Sequence, residues 1–244
     1  MSLSFWHEHY VTTSTQLHNC SAVLVDMDGT IIDSTPAIVK FWTGLGQELG
    51  IDPVTILKTS HGRRTLDVLQ ILAPELANWE YVCRVEGDIP KKFGNDAVEI
   101  PGSHRFVQQL VKLGVPWAIV TSGTRPLVTG WLDVLGLAQP KVLISAEDVA
   151  AGKPDPAPYT YGMQRLGVGL SDAHDVLVLE DAPAGIRAAK SAGCRVIALA
   201  TTHGVELLRD AGADWIVRDA RSVNLFSQTG HLGRYTVEIS DGLI

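Results

Sequence analysis

Asp26 and Asp28 stand two apart at the end of an apolar run, in Val23-Leu24-Val25-Asp26-Met27-Asp28-Gly29-Thr30. Such a run reads as a buried strand. Side chains two apart on a strand point the same way, so both carboxylates are expected on one side of the strand's end. Gly29 lets the backbone turn at once. Two like charges held together require a cation, a shared proton or solvent. A hard divalent cation suits paired carboxylate and carbonyl oxygens, and Mg²⁺ suits them best when a phosphate completes its shell. Read blandly, Asp-x-Asp-Gly is a polar turn after a strand; three further clusters weigh against that.

These are Thr121-Ser122, Lys153 between Gly152 and Pro154, and Glu180-Asp181. Each has a use in phosphoryl transfer. A carboxylate such as Asp26 can act as a nucleophile and form an aspartyl phosphate, and Asp28 can serve as general acid and base. The Thr121 hydroxyl and the turn at Ser122 suit phosphate oxygens. Lys153 offers a compact positive charge. Asp181, with Glu180 beside it, can complete a Mg²⁺ site. Magnitude explains why cations are needed. A carboxylate about 4 Å from a phosphate dianion, at an effective dielectric of ~20, is repelled by roughly 8 kcal/mol. That is about six decades of rate if nothing offsets it.

The elements that must position these groups alternate. Helices are predicted over 103–113, 127–135, 159–166, 184–192 and 205–211, and strands over 115–120, 142–144, 176–179, 195–199 and 215–217. This rhythm predicts a doubly wound, Rossmann-like parallel sheet with right-handed crossovers. All four clusters then fall at or just beyond strand carboxyl ends, where open parallel sheets bind ligands. Residues 36–98 contain no convincing strand. Ile38, Phe41, Trp42, Leu45 and Leu49 recur at helical spacing, so this region is predicted to be a mostly helical insertion after the first strand. Pro36 suits a first helical turn, Ser34 or Thr35 can cap it, and Gly50 can end it. The predicted division is an extension at 1–19, a core at 20–35 and 99–225, the insertion at 36–98 and a tail at 226–244. The extension reads as frayed, with Phe5, Trp6 and Tyr10 docking on the body. In the tail, Tyr235 to Ile239 alternates like an edge strand. His104, His174 and His203 read as ordinary surface or core histidines.

Composition narrows the classes. Of 244 residues, 45% are hydrophobic and 19% charged, ordinary for a soluble globular enzyme. The net charge of −7 argues against a nucleic-acid partner. Cys20, Cys83 and Cys194 are odd in number and form no C-x-x-C pair, which fits reduced thiols and a cytoplasmic location. Residues 1–19 lack the basic start and apolar segment of a secretory signal, and no run approaches the ~20 apolar residues of a membrane span. Gly44-x-Gly46 follows no strand, and no G-x-x-x-x-G-K-[ST] is present, so neither a dinucleotide fingerprint nor a P-loop is found.

Taken in order, Asp26-Met27-Asp28-Gly29-Thr30, Val120-Thr121-Ser122-Gly123, Gly152-Lys153-Pro154-x-Pro156 and Leu179-Glu180-Asp181-Ala182-Pro183-Ala184-Gly185-Ile186 resemble the four motifs of the haloacid dehalogenase-like hydrolase superfamily. The helical insertion resembles that superfamily's cap domain. Ser60-His61-Gly62-x-Arg64-Thr65, Thr121 to Arg125 and the long run from Glu180 narrow the resemblance to fungal glycerol-phosphate and 2-deoxyglucose-6-phosphate phosphatases. The resemblance implies Asp26 as nucleophile and Asp28 as acid/base. It implies Mg²⁺ on the Asp26 carboxylate, the Asp28 carbonyl and Asp181, and Thr121 and Lys153 on the phosphoryl group. It further implies a cap that closes over the site, with His61 and Arg64 as candidate substrate contacts and hinges at Asp33-Ser34 and near 98–102. The expected activity is Mg²⁺-dependent hydrolysis of a small phosphorylated metabolite by a monomer. A sugar phosphomutase uses the same residues but keeps the intermediate for a second substrate, and a non-catalytic binding protein on this fold is a further alternative. Asp28 counts against a dehalogenase, and Lys40 and Lys58 lack the context of a phosphonatase lysine.

Overall fold

Gln16–Cys20 (β1) and the fully buried run Ala22–Val25 (β2) are separated by Ser21 alone, yet they belong to different sheets. The computed structural model describes residues 12–60, 63–227 and 234–243. From β2 the chain passes through Ile32–Asp33 (β3) into five helices, Thr35–Leu49 (α1), Pro53–Ser60 (α2), Thr65–Leu72 (α3), Trp79–Gly87 (α4) and Ile89–Phe93 (α5), and returns through Val98–Glu99 (β4). Helix and strand then alternate: Ser103–Leu113 (α6), Trp117–Val120 (β5), Arg125–Val134 (α7), Val142–Ile144 (β6), Ala157–Arg165 (α8), Val176–Glu180 (β7), Pro183–Ser191 (α9), Arg195–Leu199 (β8), Val205–Asp210 (α10) and Trp215–Val217 (β9). Val223–Ser227 (β10) and Tyr235–Ile239 (β11) follow.

The large sheet has the order β6-β5-β2-β7-β8-β9, all pairs parallel. Strand β2 is central, and the chain winds outward from it in both directions. Alternate side chains of each strand serve opposite faces. Val23, Val25 and Ile119 join Phe106 and Trp131 in one core. Leu24, Ala118 and Val120 join Tyr159, Met163 and Ile186 in the other. Both faces are therefore covered, and β2 is apolar at every position, as a doubly covered parallel strand must be. The insertion has a separate core around Trp42, Leu45, Ile56, Leu69 and Val82. It is a helical cap, tied to the sheet by the antiparallel pair β3–β4.

Three expectations are corrected. The end of the N-terminal extension is not frayed: β1 pairs with β11 from Gln16↔Ile239 to Cys20↔Tyr235. The tail strand is not an edge: β11 is central in the order β1-β11-β10, and its buried Val237 and Ile239 join the first core. The cap of α1 is not a hydroxyl either. Asp33 Oδ1 accepts the Thr35 N–H at 3.0 Å, while the Ser34 hydroxyl turns to Asp28. Gly50 does end α1, in the left-handed conformation with φ 68°. Phe5, Trp6 and Tyr10 lie outside the described residues. Among those described, no helix is long and apolar enough to cross a membrane.

Candidate active site

The chain leaves β2 with its pairing still intact, since Asp26 N–H donates to Leu179 O at 3.0 Å. The Asp26 carboxylate is thereby fixed at the carboxyl edge, beside the end of β7. Lys153 reaches it from the loop before α8. Its ammonium donates to Asp26 Oδ1 at 2.5 Å, Glu180 Oε1 at 2.7 Å and Val120 O at 3.1 Å. All three ammonium hydrogens are thus engaged. Burial pulls the Lys153 pKa down, but Asp26 and Glu180 outweigh burial and hold it above the ordinary lysine range. Burial pushes Asp26 up, and Glu180 and Asp28 add to that, with Lys153 opposing. Ionised Asp26 therefore gains from any further positive charge in the site.

Glu180 is fully occupied. Oε1 accepts from Lys153 and from the Tyr159 hydroxyl at 2.9 Å, and Oε2 from the N–H groups of Asp181 and Ala182 at 2.8 and 2.9 Å. A carboxylate has about four acceptor sites. Glu180 therefore orients Lys153, and it has no lone pair left for a metal, although its oxygens lie in one cluster with those of Asp26 and Asp181. Gly185 makes this arrangement possible, because a Cβ there would overlap the Glu180 carboxylate.

Asp181 receives the Thr202 hydroxyl on Oδ2. Burial, then Glu180 and Asp26, hold it well above the usual carboxylate range. Two buried carboxylates, Asp26 and Asp181, thus face one another with their charge incompletely balanced, which is the donor set a hard divalent cation fits. Gly29 has φ 87°, and a side chain on it would strike Asp181; glycine is required on both counts. Asp28 follows at the cavity wall and accepts the Ser34 hydroxyl at 2.5 Å. Burial raises its pKa against that bond and against Lys153. Thr121 is buried, its Oγ1 accepting Gly123 N–H at 3.0 Å, and Ser122 lies beside it in the wall.

These groups surround a cavity of about 120 Å³ under the cap. It is well below the roughly 300–1,000 Å³ typical of ligand pockets, so a small ligand fits. Asp26, Asp28, Thr121, Ser122, Lys153, Glu180 and Asp181 are all brought together here. Arg64 is not. Its guanidinium is clamped by Asp67 with two 2.8 Å bonds and donates to the carbonyls of Val149 at 3.0 Å and Ala150 at 3.3 Å. It fastens the cap to the core, and the neighbouring Arg63 lines the cavity instead. His61 lies outside the described residues. His203, read from sequence as ordinary, lines the cavity with Nδ1 3.2 Å from Asp181 O.

The group with the least sequence signal is Glu86. It occupies the buried stripe of α4 one turn after Val82. A carboxylate on an apolar stripe was the only available clue. Oε2 accepts Thr124 N–H at 2.7 Å at the start of α7, and the residue lines the cavity. Burial pushes its pKa up to about 7 from an ordinary 4.5. Below pH 4.5 the folded and unfolded chains both carry the proton, and no penalty exists. Between 4.5 and 7 only the unfolded chain gives it up, so the folded state loses stability as pH rises, by about 3 kcal/mol in total. Glu86→Gln removes that loss. Urea unfolding should find the variant equal to wild type near pH 4.5 and more stable by about 3 kcal/mol at pH 8. A difference that stays flat over this range would contradict the assignment.

What fold and site define together is a capped α/β hydrolase. The chain belongs to the haloacid dehalogenase-like hydrolase family, whose model matches residues 20–193. It is 41% identical over 221 residues to glycerol-1-phosphate phosphohydrolase 2 of Saccharomyces cerevisiae, covering 88% of each chain. It is 36% identical to 2-deoxyglucose-6-phosphate phosphatase 1 of the same yeast, over 83% of this chain and 89% of the relative. Among solved structures, a hydrolase from Pseudomonas syringae superposes with a TM-score of 0.69 at 24% identity, over 82% of this chain and 94% of that one.

Proposed function

We propose that this protein is a Mg²⁺-dependent phosphatase of small phosphomonoesters, of the size of glycerol phosphate and the smaller sugar or polyol phosphates, working through an aspartyl phosphate on Asp26. The observation that carries the reading is the buried Lys153 ammonium, held on Asp26 by Glu180 in the wall of a small cavity that Asp28 also lines. The activities named for the two yeast relatives, on glycerol 1-phosphate and 2-deoxyglucose 6-phosphate, support the phosphomonoester class.

Asp26 attacks phosphorus, the bond from phosphorus to the ester oxygen breaks, and Asp28 gives its proton to the leaving alkoxide. Asp28 then takes a proton from water as that water attacks the aspartyl phosphate, releasing phosphate and restoring Asp26. The burial-raised pKa of Asp28 suits a group that must hold a proton first. Thr121 and Ser122 hold phosphoryl oxygens, and Lys153, whose hydrogens are spent on Asp26, Glu180 and Val120 O, sets its positive charge beside them. Mg²⁺, held by the Asp26 and Asp181 carboxylates and the Asp28 carbonyl, would supply the positive charge that lets one anion approach another. Glu180 is assigned to Lys153 and not to the metal. The free thiols Cys20, Cys83 and Cys194 suit a reducing compartment, so we place the enzyme in the cytoplasm.

Phosphate release from glycerol phosphates, hexose 6-phosphates, 2-deoxyglucose 6-phosphate, polyol phosphates and phosphoglycolate tests this. With Mg²⁺ we expect release with a clear preference. Chelation should lower it at least ~100-fold, and added Mg²⁺ should restore it. Release indifferent to chelator would remove the metal from the mechanism. An isomerised sugar phosphate without free phosphate would make the protein a mutase.

A further inference from the structure

The cap contributes seven residues to the cavity wall: Thr35, Ile38, Trp42, Ser60, Arg63, Thr65 and Glu86. Among the described residues, Glu86 is the single carboxylate in that set. We propose that Glu86 selects the leaving group: its carboxylate accepts a hydroxyl of a neutral polyol and excludes leaving groups that carry a carboxylate of their own. The proposal rests on the phosphomonoester reading above and deepens it.

Position comes first. The nucleophile and the acid/base stand at the end of β2 and Lys153 in the core loop before α8, whereas Glu86 enters from the cap. A phosphate seated on Thr121 beside the Lys153 charge therefore leaves its ester substituent to be read by cap residues. Capacity comes next. Oε2 is bound by Thr124 N–H, and the Thr65 side chain bonds the carboxylate as well, which uses at least two of about four acceptor sites. What is left can receive a ligand hydroxyl.

Charge then decides between Glu86 and Arg63, the cap's cation in the same wall. Glu86 is 3% exposed, and Arg63 is exposed to solvent. Water and salt screen an exposed guanidinium far more than a buried carboxylate. Of the two charged cap residues, Glu86 therefore governs what the leaving group meets, and a second carboxylate placed beside it must share a proton with it. A purely structural Glu86 would serve only to receive Thr124 N–H at the start of α7 and the side-chain bond from Thr65. The next N–H of that helix, on Arg125, is met by Glu147 Oε1 at 3.0 Å. A glutamine oxygen would accept the Thr124 bond equally well, so Glu86→Gln separates the two roles.

The test compares glycerol 1-phosphate with 3-phosphoglycerate, which differ chiefly in a hydroxymethyl against a carboxylate. Calorimetric binding of both is measured to Asp26→Asn protein with Mg²⁺ at pH 8.5, with Glu86 intact and with Glu86→Gln added. With Glu86 near pH 7, imposing a proton at pH 8.5 costs about 30-fold. We expect the alcohol to bind at least ~30-fold more tightly than the acid with Glu86 present. In the Glu86→Gln protein the ratio should fall to within about 3-fold. A ratio unchanged by the substitution, a ratio near one with Glu86 intact, or no binding of either ester would overturn the proposal. So would a ratio that collapses in Arg63→Ala instead. Turnover by the Asp26 protein is measured alongside. Expected binding ratios without turnover would sink the phosphatase reading and keep the selectivity. Turnover of both esters with an unchanged ratio would do the reverse.

Discussion

Asp26→Asn is expected to lower phosphate release at least ~10⁴-fold while shifting the melting temperature by only a few degrees. An amide keeps the shape of the carboxylate and its place at the end of β2, where the backbone N–H remains bound to Leu179 O. It cannot become an acyl phosphate nucleophile. The loss corresponds to about 5.5 kcal/mol of transition-state stabilisation or more. Stability should change little because two effects oppose. A buried carboxylate held above its ordinary range is removed, which favours folding. Lys153 loses a partner at 2.5 Å but keeps Glu180 and Val120 O. Steady-state phosphate release and a thermal melt read the two quantities separately. A variant with near wild-type turnover would show that Asp26 is not the nucleophile, whatever its melting temperature.

Lys153→Met should be almost as damaging to activity, by ~10³-fold, and far more damaging to the fold, by about 3–5 kcal/mol. The three ammonium bonds are lost together. Two buried carboxylates, on Asp26 and Glu180, are left without the cation between them. Breaking one side of a buried ion group is expensive because the remaining charge stays desolvated. Asp26 then holds its proton more tightly and is a poorer nucleophile. A second substitution distinguishes the consequences. Adding Glu180→Gln to Lys153→Met removes one stranded charge and should recover part of the lost stability, read by urea unfolding, with no recovery of turnover. Turnover that returned along with stability would reduce Lys153 to a structural ion pair.

The same residues mark where the sequence was enough. Asp26, Asp28, Thr121, Lys153 and Asp181 each follow an apolar run or sit between turn residues, so a signal a few residues long places them at strand ends or in the loops that follow. The alternation of strand and helix then implies one sheet edge for all of them. That is why fold class and the central groups were legible before any coordinates.

What only the tertiary structure decided depends on partners far along the chain. Glu180 and Asp181 look interchangeable in sequence; donors from Lys153 and Tyr159 turn one of them inward and leave the other facing Asp26. Arg63 and Arg64 are adjacent, and docking of the cap on the carbonyls of Val149 and Ala150 determines which of them clamps and which lines the cavity. Glu86 carries no motif; its meaning arises from meeting Thr124 across the interface between cap and core. Strand β11 reads as an edge because its alternation is local, but it is central because β1 pairs with it from the other end of the chain. Periodicity and turn chemistry act over a few residues. Pairing register, ion-pair partners and desolvation act through space, and a single sequence carries no local record of them.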